Sequence, residues 1–423
     1  MNVKGKILFI LFSTLVILDV QVSAFGVTPR GKYSNPNISG CFTSYIPHYP
    51  TTINVSDYEG ATDTERIQKA LYDVPPEGAV VYIPGGVWEA YNLTAGSRTI
   101  LMGSNNTILK RPANTSNNLV TFAYANEFAV VNMIFDGGNI TGAAGILIFN
   151  CSRFAIVNNT FIDISRNAIR VSGACMDFEI NENRLLRCNE ASIILFGSPG
   201  ERYLYNFSIT HNLLYGGLNN GKIGVAFSAH GIIANNTLMN CEFGIATRGV
   251  SYIIIENNTI ESCESYAFYL GTQPGDQGSD NIEISQNYVI NCSVGILRYY
   301  GSYPINNVTL NNNSFLYSRE WDIYADFSAI FKNNTITSAE RLKILVTNVQ
   351  FIGTRDKGGQ PILPGDVFID LKIDMRDIGI VGRLFGCTPI SDNWIPCADI
   401  IGDDIINMED IAFVAKRYGL DYL

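Results

Sequence analysis

A seven-residue phrase, Asn257-Asn258-Thr259-Ile260-Glu261-Ser262-Cys263, recurs in varied form along most of this chain and restricts what it can fold into. Its relatives begin at Asn105-Asn106-Thr107-Ile108 and run through Val131-Asn132-Met133-Ile134-Phe135, Asn158-Asn159-Thr160-Phe161, Asn181-Glu182-Asn183-Arg184-Leu185 and His211-Asn212-Leu213-Leu214. They continue with Asn235-Asn236-Thr237-Leu238, Gln286-Asn287-Tyr288-Val289, Asn312-Asn313-Ser314-Phe315 and Asn333-Asn334-Thr335-Ile336. The apolar residues closing the ten copies, from Ile108, Phe135 and Phe161 to Phe315 and Ile336, stand 21 to 29 residues apart. A period in the twenties predicts a solenoid, in which each repeat buries its apolar face only against its neighbours.

The phrase has a physical rationale in such a coil. Asparagine is among the few residues with a side chain that tolerate the left-handed conformation of a sharp turn. Stacked asparagines can also hydrogen-bond their amides from coil to coil, while the following Thr-Ile or Thr-Phe alternates outward and inward along a strand. A second strand recurs in each coil, as in Gly145-Ile146-Leu147-Ile148, Ala168-Ile169-Arg170-Val171 and Gly224-Val225-Ala226-Phe227. Period-two alternation places Leu147, Arg170, Ile194, Ala226, Ala246, Tyr269, Leu297 and Tyr324 in one outward row. The next row is Phe149, Ser172, Phe196, Ser228, Arg248, Gly271, Tyr299 and Asp326. Insertions at 197–205 and 271–280, with a milder one at 300–304, follow this strand and are expected to wall a groove beside these rows.

With 423 residues, 47% hydrophobic content and 16% charge, the chain is globular, with room for one long domain and one small one. A net charge of −10 excludes a basic patch for nucleic acid or an anionic membrane. Lys4 and Lys6, the apolar run Ile7 to Leu18 and Val22-Ser23-Ala24 read as a signal peptide over 1–24. Asp19 is unusual there, so an uncleaved anchor is the other reading; no membrane span is expected after removal of the peptide. Sequons at Asn37, Asn54, Asn92, Asn206 and Asn307 agree with export and a glycoprotein. The Asn-Asn-Thr copies also fit that pattern, but the repeat accounts for them. Of nine cysteines, Cys188, Cys241, Cys263 and Cys292 each fall three residues after a closing apolar residue and should stack as buried small hydrophobes. Cys387 and Cys397 are the disulfide candidates.

Residues 25–54 are rich in Pro, Asn, Ser and Tyr and read as an irregular extension. Thr62 and Glu65 form a capping box before Ile67, Ala70 and Leu71, which predicts a short amphipathic helix. Gly78-Ala79-Val80-Val81-Tyr82-Ile83-Pro84-Gly85-Gly86 then reads as a strand stopped by Pro-Gly-Gly. This order, Gly60-Ala61-Thr62-Asp63-Thr64, helix, Val-Val-Tyr-Ile-Pro-Gly-Gly, resembles the N-terminal cap of the pectate-lyase-like superfamily, and the Asn-rich repeats resemble its coils. The resemblance implies an all-β, right-handed single-stranded parallel β-helix over 55–356. That superfamily includes lyases, hydrolases, epimerases and proteins with no catalysis, so the fold does not name the activity.

After a linker at 357–365, residues 366–423 hold two related halves. Asp366, Asp370, Asp374 and Asp377 in the first, and Asp399, Asp403, Asn407 and Asp410 in the second, occupy positions 1, 5, 9 and 12 of a loop running into a helix. That is the ligand spacing of an EF-hand-type Ca²⁺ loop. The pair resembles a dockerin, a small α-helical module, and the resemblance implies bound Ca²⁺ and a cohesin-like or cell-surface protein partner. It departs from the pattern at position 3 (Phe368, Ile401) and position 6 (Leu371, Asp404), which removes a ligand and stiffens the turn.

The expected function is a secreted carbohydrate-active β-helix, a polysaccharide lyase or glycoside hydrolase acting on acidic polysaccharide and attached through the dockerin-like module. The alternative is a non-catalytic cell-surface adhesion protein that binds carbohydrate. A lyase needs a base and a cation for the enolate-like charge, for which Arg170, Arg248, Tyr269, Tyr299 or Lys222 are the candidates. Trp321, Tyr324 and Asp326 are the candidate substrate-binding residues, the aromatics as platforms for sugar rings. A hydrolase needs paired carboxylates, and no such set is evident; Ala229-His230-Gly231 is only a fragment of the polygalacturonase Gly-His-Gly.

Overall fold

The computed structural model describes residues 46–423 except 199–203, 217–220, 272–277, 299–303, 326, 339–340, 345–348, 360–361, 363–364, 368–371, 392, 396–397, 402 and 420–423. The signal peptide and most of the extension therefore lie outside the described residues. So do Tyr299, Asp326, Asp370 and Cys397, the side chain of Lys222 and the central parts of the three insertions.

Each coil contains three strands, one more than the sequence pattern revealed. One coil runs Ile169–Ser172, Met176–Asn181 and Arg184–Leu186, and its successor runs Ile193–Phe196, Leu204–Thr210 and Leu213–Tyr215. The three series stack in parallel with their counterparts in the next coil and make three faces, here sheets 1, 2 and 3 in chain order. Sheet 3 contains the Asn-Thr-Ile phrase and has 12 strands, from Gly86–Glu89 to Arg355–Asp356. In two coils sheets 1 and 2 are bridged by one bent strand, Gly221–Ala234 and Phe243–Glu256.

The asparagines divide their work. In nine of the ten copies the residue just before the inward asparagine or Met133 has φ between 52° and 59°: Asn132, Asn158, Glu182, His211, Asn235, Asn257, Gln286, Asn312 and Asn333. The inward asparagine, Asn159, Asn183, Asn212, Asn236, Asn258, Asn287, Asn313 or Asn334, is at most 2% exposed. The turn therefore belongs to Asn257, whereas Asn258 is a rung of a buried ladder. Each rung's Oδ1 accepts from both the backbone N–H and the Nδ2 of the rung before it. The remaining Nδ2 proton goes to a backbone carbonyl, as in Asn236 Nδ2 to Ile209 O at 2.8 Å. Such a network is stabilising because every buried polar atom is satisfied. Met133 starts the column by donating its N–H to Asn159 Oδ1, and Thr354 closes it with a bond from Oγ1 to Phe331 O. The first copy is shifted by one residue: Leu109, not Ile108, pairs with Phe135, and Thr107 takes the inward place and donates to Ile83 O.

The interior consists of stacked columns. Phe122, Phe128, Phe154, Phe178 and Phe207 lie ring on ring at 4.0 to 5.6 Å, and Phe135 stacks on Phe161 at 4.8 Å. Offset aromatic stacking adds to the burial of these large apolar surfaces. Cys188, Cys241, Cys263 and Cys292 are buried free thiols, with Cys241 Sγ 3.0 Å from Cys263 Sγ. The first helix, α1 (Asp63–Tyr72), has Thr62 as N-cap and buries Ile67, Ala70 and Leu71. The first strand, Thr52–Asn54, pairs with Val80–Tyr82 and falls inside the segment expected to be irregular.

The C-terminal residues form α2 (Met375–Arg383) and α3 (Met408–Lys416), each opened by a capping box, Asp374 with Asp377 and Asn407 with Asp410. Gly386 N–H donates to Ile406 O, and Gly419 N–H donates to Ile373 O. The two contacts are related by a 33-residue offset (406 to 373, 419 to 386), so the duplication seen in the sequence is matched in the backbone.

Candidate functional site

Sheet 1 carries the candidate residues on its outer face. In register along one outward row stand Thr121, Leu147, Arg170, Ile194, Gly224, Ala246, Tyr269, Leu297, Tyr324 and Lys343. The neighbouring row is Ala123, Phe149, Ser172, Phe196, Ala226, Arg248 and Gly271. This corrects the expected rows at one coil: Gly224, not Ala226, aligns with Ile194, and Ala226, not Ser228, aligns with Phe196. Gly224 has no side chain to mark its outward place, which shifts the apparent alternation by two residues.

Arg170 is half-buried, and its Nε donates to Ser172 Oγ at 3.1 Å. Ser172 lies in register between Phe149 and Phe196, so the guanidinium leans toward two aromatic neighbours. Burial lowers the proton affinity of Arg170, as does the nearby Arg166 charge, with Glu190 opposing. Arg166 is itself held by Glu190 at 3.4 Å. Three coils on, the Arg248 guanidinium lies 5.0 Å over the ring of Phe227, which meets Phe196 edge to face at 5.7 Å. At about 4.8 Å per coil the two arginines are roughly 14 Å apart along the axis. Phe227 was not among the sequence candidates; its φ of 52° on a bulky residue marks the turn that brings its ring under Arg248.

The aromatic candidates fare differently. Tyr269 is 7% exposed, packed beside Phe243 and Tyr266, and is therefore not an open platform. Trp321 and Tyr324 stay half-exposed with Lys343 Nζ 5.4 Å from each ring, a cation the sequence reading missed because its repeat fades there. Among the described residues neither outward row contains a carboxylate. His230 stacks on Tyr252 at 4.9 Å, at the corner between sheets 1 and 2.

In the C-terminal loops, carboxylate oxygens of Asp399, Asp403 and Asp410 lie within 4.8 Å of one another. Asp399 accepts from the N–H groups of Asp403 and Asp404, and Asp410 from those of Ile400, Ile401 and Asn407. Asn407 Nδ2 donates to Asp403. Asp404, at the position where a glycine was expected, has φ 64°, which aspartate tolerates better than most residues. In the first loop Asp374 is taken by Arg376 through contacts of 2.8 to 3.2 Å, which hold its carboxyl below the usual range. Asp366 is half-buried, and Asp377 is fully buried in its capping box. Cys387 is a free thiol, 3.3 Å from Asn393 Oδ1, and its expected partner Cys397 lies outside the described residues.

Three parallel sheets, an inward asparagine ladder and a capped N-terminal end define a parallel β-helix. The chain belongs to the rhamnogalacturonase A/epimerase, pectate-lyase-like family, whose model matches residues 52–268, just over half its length. The right-handed β-helix region matches residues 206–336. In structure it is similar to an exopolygalacturonase from Thermotoga maritima (TM-score 0.57, 12% identity, 73% of this chain and 93% of that one). It is also similar to PfbA, a surface adhesin of Streptococcus pneumoniae (TM-score 0.56, 15% identity, 72% and 91%). At these identities the two likenesses establish the fold. No curated protein matches the sequence. Among the described residues no helix is long and apolar enough to cross a membrane.

Proposed function

We propose that the protein is an exported, carbohydrate-active β-helix that binds an acidic polysaccharide along the outer face of sheet 1. The observation that carries this reading is the placement of Arg170 and Arg248 among Phe149, Phe196 and Phe227, with no carboxylate on the described outward rows. Half-buried guanidinium groups match a uronate carboxylate in charge and fork geometry, and the half-exposed rings of Phe149 and Phe196 match sugar faces, while Phe227, 2% exposed, lies beneath Arg248 and only supports it. Of the two cleavage chemistries, elimination suits these residues better than hydrolysis, which needs a carboxylate pair. Arg170 and Arg248 would supply the positive charge that stabilises the enolate-like intermediate of such an elimination. The fold resembles both a glycosidase and an adhesin, so binding without cleavage uses the same face. A panel of polyuronates and neutral polysaccharides, followed by unsaturated-uronate absorbance, reducing-end release and binding, tests this. Binding restricted to neutral glycans, or to none, contradicts the proposal.

The same reading gives the C-terminal module a Ca²⁺ site. Three converging carboxylates repel one another, and a cation relieves that repulsion. Asp399, Asp403 and Asp410 would hold the ion, with the carbonyl of Ile405 at the seventh loop position, and the ion would fix the loop against α3. The first loop, where Asp374 is engaged by Arg376, fits the ion less well. A dockerin-like attachment to a cohesin-like or cell-surface partner belongs to this proposal.

A further inference from the structure

Six copies of the repeat are also Asn-x-Ser/Thr tripeptides; in Asn105-Asn106-Thr107 the threonine is buried, and the other five are Asn158-Asn159-Thr160, Asn235-Asn236-Thr237, Asn257-Asn258-Thr259, Asn312-Asn313-Ser314 and Asn333-Asn334-Thr335. In sequence the repeat accounts for both asparagines of each pair. In the structure it accounts for one. The buried ladder consumes the second asparagine, and the residue that would accept a glycan is the first. All five first asparagines are exposed, in a φ of 52° to 56° that turns the side chain off the coil. Within the described residues the side-chain amides of Asn235, Asn257, Asn312 and Asn333 make no hydrogen bond, and Asn158 Nδ2 makes only a bond of 2.7 Å to the side chain of Asn132.

The hydroxyl two residues on is equally well placed. Thr160, Thr237, Thr259, Ser314 and Thr335 begin strands of sheet 3 on its outward side and are half-exposed. Asn206, a sequon outside the repeat, contrasts with them: its Nδ2 donates to Asp177 Oδ1 and its partner Ser208 is 4% exposed. The structure therefore places these five above Asn206 as acceptors.

The geometry points to a column of N-linked glycans on the first asparagines of the repeat, along the corner between sheets 2 and 3. Transfer forms a bond from Asn Nδ2 to the anomeric carbon of a polyprenyl-phosphate-linked sugar. The bond from that carbon to the carrier phosphate breaks, the phosphate leaves with the electron pair, and the amide gives up one proton. Of the three corners in a coil, this is the one that does not adjoin sheet 1, so sugars here leave the polysaccharide-binding face open. Asn235 and Asn257 sit on consecutive coils, as do Asn312 and Asn333, about 4.8 Å apart. One bound glycan covers its neighbour at that spacing, so each of these pairs carries one sugar chain per molecule.

Glycopeptide mass spectrometry of the full-length chain, purified from the cells that naturally make it, tests the inference independently of any binding assay. The expected result is sugar on Asn158, on one member of each adjacent pair, and little or none on Asn206. Thr259→Val and Thr237→Val remove a half-exposed hydroxyl and leave the ladder asparagines in place. Each is expected to abolish sugar at its own acceptor, and the double variant to clear the pair. Bare asparagines at all five positions overturn the inference, as does sugar retained on Asn257 in the Thr259→Val protein.

Discussion

The carboxamide oxygen of Asn258 accepts two hydrogen bonds from Asn236, one from its backbone N–H and one from its Nδ2, each 3.0 Å. Replacing Asn258 by Ala strands both donors in the interior, where each unmet group costs about 1 to 3 kcal/mol. Asn258→Ala is therefore expected to lower stability by about 3 kcal/mol in urea unfolding. Asn257→Gly, one residue earlier, keeps the left-handed turn and should change stability by less than about 0.5 kcal/mol. Equal losses for the two would contradict the division of labour between them.

Burial pushes the Cys175 thiol up to about 12, and the neighbouring thiols of Cys241 and Cys292, together with burial, raise that of Cys263 well above its ordinary value. At pH 8 roughly one Cys175 in ten thousand is thiolate, and the thiolate is the reactive form. Native protein is expected to resist alkylation at Cys175 and Cys263 for as long as it stays folded, and to react at once in denaturant. The native state keeps this proton while the unfolded thiol releases it. Raising pH through the ordinary thiol range therefore removes stability.

Asp322 is fully buried, and burial raises its carboxyl above the usual range despite N–H bonds from Ser318 and Thr337. The folded chain holds this proton more tightly than the unfolded chain does. Its contribution to stability is present below the ordinary carboxylate value and falls as pH rises toward the native one. The stability lost in Asp322→Asn relative to the parent should be greater at pH 4 than at pH 7, as read from urea midpoints. A loss that grows with pH would contradict this.

Removal of Ca²⁺ by chelation is expected to lower the melting temperature of the C-terminal transition in the full chain, with restoration on adding Ca²⁺ back. Asp399→Ala should remove that response, because it takes away one of three converging carboxylates. An unchanged transition in chelator would count against the metal site.

The solenoid, the capped first helix and the duplicated C-terminal halves were all legible because each rests on a local pattern, a period or a cap. Sheet 2 was not. In Phe154, Ala155, Ile156 and Val157 four consecutive side chains are buried, because the outer face of that sheet is covered as well, and period-two alternation disappears. Phe154 and Phe178 gave no signal individually; their stacking exists only once the coils are superposed. The two arginines were found because they interrupt an apolar row. Tyr269 was misjudged because alternation gives direction but not the cover that Phe243 and Tyr266 provide. Lys343 was missed because it lies where the repeat has faded, yet it continues the row of Tyr324.

The most direct measurement is the affinity of the full chain for a polyuronate beside its neutral counterpart, for the parent protein, Arg170→Ala, Arg248→Ala and the double variant. The account predicts binding of the acidic polymer that weakens about tenfold with each substitution and falls with added salt, with melting temperature unchanged. Polyuronate affinity that is unaltered in the folded double variant would contradict it.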